Sequence, residues 1–184
     1  MGRKSQAVGE AGESYAEGQF KMALYLGILA HYEHNQPRAK FIGGRLMYDK
    51  PSVADYTGVL EGGRVLAEEV KSTEEKRFYK SGVEPKQQAH LNATARAGGL
   101  ALLLVEFRRP QQLDPHRVTT LYQRFAIPWL EVPWEKARSA EAIMPEQLQQ
   151  WLILPDTCHL KRWHPGGPRS SSWSPEPKRL YPTE

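Results

Sequence analysis

The stretch 53–73, VADYTGVLEGGRVLAEEVKST, decides the fold because it reads as two strands joined by a short turn. The runs 54–60 and 65–72 are rich in aliphatic residues, and residues 61–64, Glu-Gly-Gly-Arg, separate them. Glycine tolerates positive φ, so a Gly-Gly step at a short connection is typical of a hairpin. The stretch therefore predicts an antiparallel β-hairpin.

The hairpin carries three charged residues, Asp55, Glu69 and Lys71, among its aliphatic ones. Residues two apart in a strand share a face, so Glu69 and Lys71 point the same way, and the turn brings Asp55 towards them. Two carboxylates repel each other in a desolvated corner, and Mg²⁺, which prefers such oxygen ligands, removes the repulsion. On spacing alone, a salt-bridged hairpin with its acids in water is the commoner explanation, because short motifs recur by chance.

The composition of the chain excludes several classes of protein. A length of 184 residues suits one domain, and 25 Lys and Arg against 21 Asp and Glu suit a polyanionic partner without requiring one. Cys158 is the only cysteine, which excludes an internal disulfide. No apolar run approaches the ~20 residues of a membrane span, and MGRKSQAVGEAGE lacks the apolar core of a signal peptide. We expect a soluble, cytoplasmic protein.

Further elements surround the hairpin. Phe20, Leu24 and Ile28 recur at four-residue steps and predict a helix over 13–32, after a frayed segment 1–12. A second helix is expected from Pro85 to Gly98-Gly99, followed by the buried strand LALLLVEF and an edge strand interrupted by prolines. This order predicts an α/β fold, with a small mixed β-sheet flanked by helices.

Two segments differ in composition from the rest. Segment 37–51, broken by Pro37, Gly43-Gly44 and Pro51, carries four basic side chains, Arg38, Lys40, Arg45 and Lys50. Segment 156–184 is rich in Pro, Ser and basic residues. We therefore expect one domain over 1–155, with a basic insertion at 37–51, and a C-terminal tail over 156–184.

The order of these pieces resembles the RecU-type Holliday junction resolvases of the restriction-endonuclease-like nuclease superfamily. Asp55 followed by Glu69-Val70-Lys71 is similar to that superfamily's D…ExK signature. The first helix with Glu17, the basic segment PRAKFIGGRLMYDKPSVADY, and KQQAHLNATARAGGLALLLVEF resemble further parts of the family over residues 12–133. The resemblance implies a restriction-endonuclease-like core, and a phage origin is compatible with it.

The resemblance also implies roles for particular residues. Mg²⁺, or Mn²⁺ in its place, would be held by Asp55, Glu69 and the main-chain carbonyl of Val70, with Glu17 bound directly or through water. Lys71 would orient the attacking water. The remaining expected site residues are Gln87 in the second helix and, as DNA contacts, Thr73, Arg38, Lys40, Arg45 and Lys50. Glu13 is an alternative to Glu17 in the first helix.

The activity that the resemblance implies is metal-dependent endonuclease cleavage of four-way DNA junctions, in recombination, repair or debranching of phage DNA. Paired nicks in a two-fold symmetric junction need two active sites, so a homodimer is expected. A restriction-type or repair endonuclease that acts on duplex DNA is an alternative on the same fold. A DNA-binding protein without catalysis is another, although the joint presence of Asp55, Glu69 and Lys71 argues against it.

Overall fold

The structure is a computed structural model, and it describes residues 3–35, 39–42, 45–48, 53–114, 117–137, 140–153 and 157–163. The backbone alone is described for 3–11, 39–42, 45–48, 113–114, 117–118 and 136–137.

The described part of the chain forms two α-helices and ten β-strands. In order, they are α1 (Arg3–Tyr25), β1 (Leu29–His34), β2 (Ala39–Ile42), β3 (Arg45–Tyr48), β4 (Tyr56–Leu60), β5 (Val65–Thr73), β6 (Phe78–Tyr79), α2 (Pro85–Arg96), β7 (Leu100–Asp114), β8 (Arg117–Pro128), β9 (Glu135–Ala137) and β10 (Ala140–Ile143). Short 3-10 helices lie at Lys80–Gly82, Trp129–Glu131, Pro145–Trp151 and His159–Trp163. None of the described helices is long and apolar enough to cross a membrane.

A five-stranded mixed sheet forms the centre, in the order β1-β4-β5-β7-β8. The β5–β7 pair is parallel, and the other neighbours are antiparallel. The predicted hairpin is present as β4–β5, and Gly62 and Gly63 in its turn have φ of +88° and +86°. The predicted mixed sheet and the edge position of β8 are confirmed.

The two faces of the sheet are covered by different helices. On one face, Ala16, Phe20 and Ala23 of α1 pack against Leu66 and Val70 of β5 and the even-numbered leucines of β7. On the other face, Leu91 of α2 packs with Ala67, Leu103, Val105 and Phe107. Because side chains alternate along a strand, consecutive residues of β5 face α1 and α2 in turn. We call these the α1 face and the α2 face.

The prediction of a helix over 13–32 is wrong at both ends. The helix begins at Arg3, and it packs so closely on β5 that a Cβ at Gly12 would lie 2.5 Å from Ser72 Oγ. It ends at Tyr25, where Gly27 follows with φ of +65°, and the chain continues as β1 instead of a further helical turn. Leu24 is 40% exposed, because the buried face of the helix runs through Ala16, Phe20 and Ala23.

The basic insertion forms a hairpin where the sequence predicts an irregular, Pro- and Gly-broken stretch. Strands β2 and β3 pair antiparallel, with Lys40 opposite Met47 and Arg45 opposite Ile42. Arg38 and Lys50 lie outside the described residues. Residues 157–163, which belong to the expected tail, pack into the core through Leu160 and Trp163.

Candidate active site

Asp55 lies where the β4–β5 pairing ends. The last paired residues are Tyr56 and Glu68. Beyond them, Asp55 Oδ2 takes the place of a backbone acceptor and receives a hydrogen bond from Val70 N at 2.8 Å. The N–H and C=O of one strand residue leave the strand on the same side, so the carbonyl of Val70 also faces the Asp55 side of β5.

Glu69 holds the centre of the site on the α2 face. Its Oε1 forms an ion pair with Lys71 Nζ at 2.7 Å and accepts a hydrogen bond from Gln87 Nε2 at 2.5 Å. Gln87 is itself fixed, because its Oε1 accepts a hydrogen bond from Glu84 N at 2.9 Å in the capping box that begins α2. The structure thus brings Glu69, Lys71 and Gln87 together, as the sequence predicts.

Burial and a second carboxylate change the pKa of Glu69. Its side chain is fully buried, and this burial, followed by the nearby charge of Asp55, raises the pKa of Glu69 to about 7. Lys71 acts in the opposite direction and lowers the pKa. Among the described residues, Glu69 Oε2 has no hydrogen-bond partner although it is buried. Two acidic groups and an unpartnered oxygen form an environment that a cation would stabilise.

The donor set fits a hard divalent cation. Asp55, Glu69 and the Val70 carbonyl offer oxygen atoms, which Mg²⁺ and Mn²⁺ accept. Within the described part of the chain, no three side chains of the His, Cys, Asp and Glu types gather as a metal-binding set. The protein would therefore supply two carboxylates and a carbonyl, and water or phosphate oxygens would fill the remaining positions, as is usual for Mg²⁺.

Glu17 lies on the side of α1 that faces β1. Its Oε1 accepts a hydrogen bond from Tyr32 Oη at 2.9 Å and lies 3.4 Å from Lys21 Nζ, and its Oε2 lies 3.6 Å from His34 Nδ1. Glu13 Oε2 is 3.9 Å from the other nitrogen of His34. Glu13 and Glu17 thus flank one histidine, and a metal role for Glu17 or its alternative Glu13 stays a prediction.

The expected DNA contacts are placed only in part. Thr73 ends β5, and its Oγ1 accepts a hydrogen bond from Glu75 N at 3.1 Å. Lys40 and Arg45 lie on β2 and β3, where the backbone alone is described. Their role as DNA contacts, like that of Thr73, stays a prediction.

Asn35 supports the site, and sequence reasoning missed it. It donates through its backbone N to Asp55 O at 2.8 Å, and through Nδ2 to Ala54 O and Thr57 Oγ1, both at 3.2 Å. These bonds fix the turn from which Asp55 reaches Val70. The available signal was a polar residue with two amide donors at the end of the first strand, but that strand was predicted as helix.

Comparison with known proteins places the chain in a family. The profile of Recombination protein U, RecU, matches residues 31–127, which is more than half of the chain. The chain belongs to the RecU family. The matched range includes Asp55, Glu69, Lys71 and Gln87, whereas Glu17 lies before it. The resemblance seen in the sequence is confirmed.

The chain is also similar to solved structures. The structure at 1.6 Å resolution of Archaeoglobus fulgidus Hjc, a Holliday junction resolvase from an archaeal hyperthermophile, has a TM-score of 0.39 and 18% sequence identity. It covers 73% of this chain and 89% of the Hjc chain. No curated protein sequence matches the chain. The assignment to the RecU family rests on the profile match.

Proposed function

We propose that this RecU-family protein is a divalent-metal-dependent endonuclease that resolves four-way DNA junctions by paired hydrolysis of phosphodiester bonds. Asp55, Glu69 and the carbonyl of Val70 would hold Mg²⁺, or Mn²⁺ in its place. Lys71 would act on the attacking water, and Gln87 would hold Glu69 in position. Glu17 would complete the shell directly or through water.

The observation that carries this proposal is the arrangement around Glu69. A fully buried carboxylate lies beside a second one, Asp55, which raises its pKa, and one of its oxygens lacks a hydrogen-bond partner among the described residues. Such a pair is unfavourable in a purely structural role. It becomes favourable when a cation and a phosphate share the site.

Asp55, Glu69 and Lys71 would have different roles in the reaction. A divalent cation held at Asp55 and Glu69 would supply Lewis-acid stabilisation of the charge that develops on the phosphate. Among the described residues, Lys71 Nζ has one ion-pair partner, Glu69, so its other N–H donors can orient a water or the phosphate. The water oxygen attacks phosphorus in line, and the bond from phosphorus to the 3′ oxygen breaks. The 3′ oxygen takes a proton, which leaves a 3′-hydroxyl and a 5′-phosphate.

A four-way junction is two-fold symmetric, so paired cuts need two copies of this site and a homodimer. Such a dimer would act in recombination or repair, in the cytoplasm where the DNA lies. A phage origin and debranching of phage DNA stay predictions.

The deciding experiment compares three substrates with and without Mg²⁺: a synthetic four-way junction, linear duplex and single-stranded DNA. We expect paired nicks in the junction alone, and only with the metal. Equal cleavage of duplex would instead favour a restriction-type or repair endonuclease. Tight junction binding without cleavage at any Mg²⁺ or Mn²⁺ concentration would favour a DNA-binding protein without catalysis.

A second experiment addresses substrate choice by the basic insertion. Replacement of Arg38, Lys40, Arg45 and Lys50 by serine should weaken junction binding more than duplex binding, because phosphates converge only at a junction centre. It should also flatten the salt dependence of junction binding. An equal loss on both substrates would make the insertion a general polyanion contact.

A further inference from the structure

The sheet continues past the site as a two-stranded arm. The β5–β7 pairing ends with Thr73 opposite Phe107, whereas β7 and β8 remain paired as far as Asp114 and Arg117. We call residues 108–114 and 117–123 the β-arm. Because β5 and β7 are parallel, the arm projects from the same end of the sheet at which Glu69, Lys71 and Thr73 lie.

Among the residues whose side chains are described, the β-arm contributes none to the hydrophobic core. Side chains are exposed along both of its strands, at Pro110, Gln111, Thr119, Thr120 and Leu121. A two-stranded hairpin that stands alone in water is only marginally stable. An arm of this kind is therefore explained best by a partner that lies along it.

The charge of the segment favours a polyanion as that partner. Residues 108–124 contain four arginines and one aspartate. Glu106 at the base of the arm is buried and is already paired with Arg124 Nε at 2.6 Å, with Arg108 Nε at 3.7 Å. The exposed Gln and Thr side chains add neutral hydrogen-bond donors of the kind that contact DNA phosphates.

The two faces of the arm differ in their arginines. On the α1 face at the base of the arm, the Arg124 guanidinium lies 4.0 Å from the centre of the Tyr15 ring and 4.8 Å from that of Tyr122, so it is committed within the protein. On the α2 face, which also carries Glu69 and Lys71, Arg109 is more exposed and has one ion pair, at 3.8 Å from Glu146 Oε1. Gln111 and Thr119, which are opposite each other in register, share this face.

We propose that the α2 face of the β-arm, with Arg109, Gln111 and Thr119, binds a duplex arm of the DNA whose phosphate lies at Glu69. This inference rests on the proposed function for the position of the scissile phosphate. Glu69 is opposite Leu103, and Asp114 lies eleven residues further along β7, a reach of roughly 37 Å. The arm would therefore contact phosphates up to about one helical turn of duplex from the cut.

The test uses adjacent residues on opposite faces, with Thr119→Lys as the probe and Thr120→Lys as its matched control. On junctions whose arms exceed two helical turns, Thr119→Lys should tighten binding roughly fivefold, and Thr119→Glu should weaken it by a similar factor. Thr120→Lys should change it less. Thr119 is opposite Gln111, eight residues beyond Leu103 and roughly 27 Å along β7. On junctions with arms shorter than about eight base pairs, the Thr119 variants should therefore match the wild type, because the contacted phosphates are absent.

Several results would overturn the proposal. Equal effects of Thr119→Lys and Thr120→Lys, or effects that do not depend on arm length, would leave only non-specific attraction. No effect of either Thr119 variant would remove the DNA contact. Dissociation of a dimer by Thr119→Glu in sedimentation would make the arm a protein interface. Binding is measured without Mg²⁺, so a lack of cleavage activity would not alter these outcomes.

Discussion

Glu68 and Glu69 are neighbours on β5, and both are fully buried, yet they lie in opposite surroundings. Glu68 faces α1, where its Oε2 lies 2.8 Å from His159 Nε2, and His159 is held in turn by Gln19. Glu69 faces α2, where it meets Lys71, Gln87 and the charge of Asp55. Each glutamate has one buried oxygen without a hydrogen-bond partner among the described residues, so this feature alone does not separate them.

The second group beside each carboxylate makes the difference. Glu68 is paired with an imidazole that the fold itself supplies, in a place closed to solvent. Glu69 lies near a second carboxylate, Asp55, in addition to its ion pair with Lys71, and the partly exposed Lys71 connects the site to solvent. A buried carboxylate whose partner is a buried base, like Glu68, is expected to stabilise one arrangement of the chain. A buried carboxylate with a second carboxylate nearby and access to solvent, like Glu69, is expected to bind a cation.

The strongest test of this difference is neutralisation of the site acids. Glu69→Gln or Asp55→Asn should lower cleavage on the order of a thousandfold or more, because an amide is a poor ligand for Mg²⁺. Junction binding should be largely retained, since no basic side chain that contacts phosphate is lost. The control is Glu61→Gln in the exposed β4–β5 turn, assayed for cleavage and binding together. Near-normal cleavage by either site variant would show that the metal site is assigned wrongly.

Substitution of Lys71, which lies on the α2 face beside Glu69, tests the chemical step. Lys71→Ala should lower the cleavage rate by about 10²–10³-fold while binding changes little, if the ammonium acts on the attacking water. Single-turnover rates at saturating DNA separate the two effects, with Lys76→Ala at an exposed position as the control. Poor binding combined with a normal rate would reassign Lys71 to DNA binding.

Substitutions of Glu68 and His159 on the α1 face should change the stability of the protein instead of its cleavage rate. His159→Leu leaves Glu68 buried without its partner, which should lower the free energy of unfolding by about 3–5 kcal/mol. The double variant Glu68→Leu, His159→Leu should recover much of this loss, and the cleavage rate per folded molecule should stay close to that of the wild type. Unfolding in urea and cleavage assays measure the two quantities. Loss of cleavage in a stable double variant would bring Glu68 into the catalytic group.

Substitution of Gln87 should change the affinity of the site for Mg²⁺ rather than the rate of the chemical step. Gln87→Ala removes the hydrogen bond that orients Glu69 and should raise the Mg²⁺ concentration needed for half-maximal cleavage about 10- to 100-fold. Gln88→Ala is the matched control, because Gln88 Nε2 donates to the backbone carbonyl of Val83 and not to the site. A lower rate at saturating Mg²⁺, with unchanged metal dependence, would indicate that Gln87 acts on water or phosphate.

The smallest expected effect is on stability against pH without metal. The pKa of Glu69 is about 7 in the folded protein against an ordinary value of 4.5, so the folded state binds this proton more tightly than the unfolded chain does. Stability from this group is therefore present at low pH and is lost as pH rises through about 7. In a chelator, Glu69→Gln should flatten this fall, by a few degrees in melting temperature, whereas Glu61→Gln should not. Identical pH profiles for wild type and Glu69→Gln would contradict the raised pKa.

Much of the site could be predicted from the sequence because its key residues are close together in the chain. The alternation of β5 places Glu69 and Lys71 on one face and turns Glu68 away, and the Gly62-Gly63 turn returns the chain to Asp55. These rules depend only on local backbone geometry. The end of α1 and the strand β1 were missed, because Ile28 continues a helical spacing that Gly27 has already broken.

The sequence by itself determined the hairpin, its acids and its lysine, since periodicity of two and glycine at a turn act over a few residues. Only the tertiary structure decided that Glu68 is the glutamate that contacts His159, a residue 91 positions further along the chain. It also decided that Glu17 contacts His34 and Tyr32. Pairing over such distances depends on how α1 and residues 157–163 pack on the sheet. No local pattern specifies that packing, because many distant side chains fix it together.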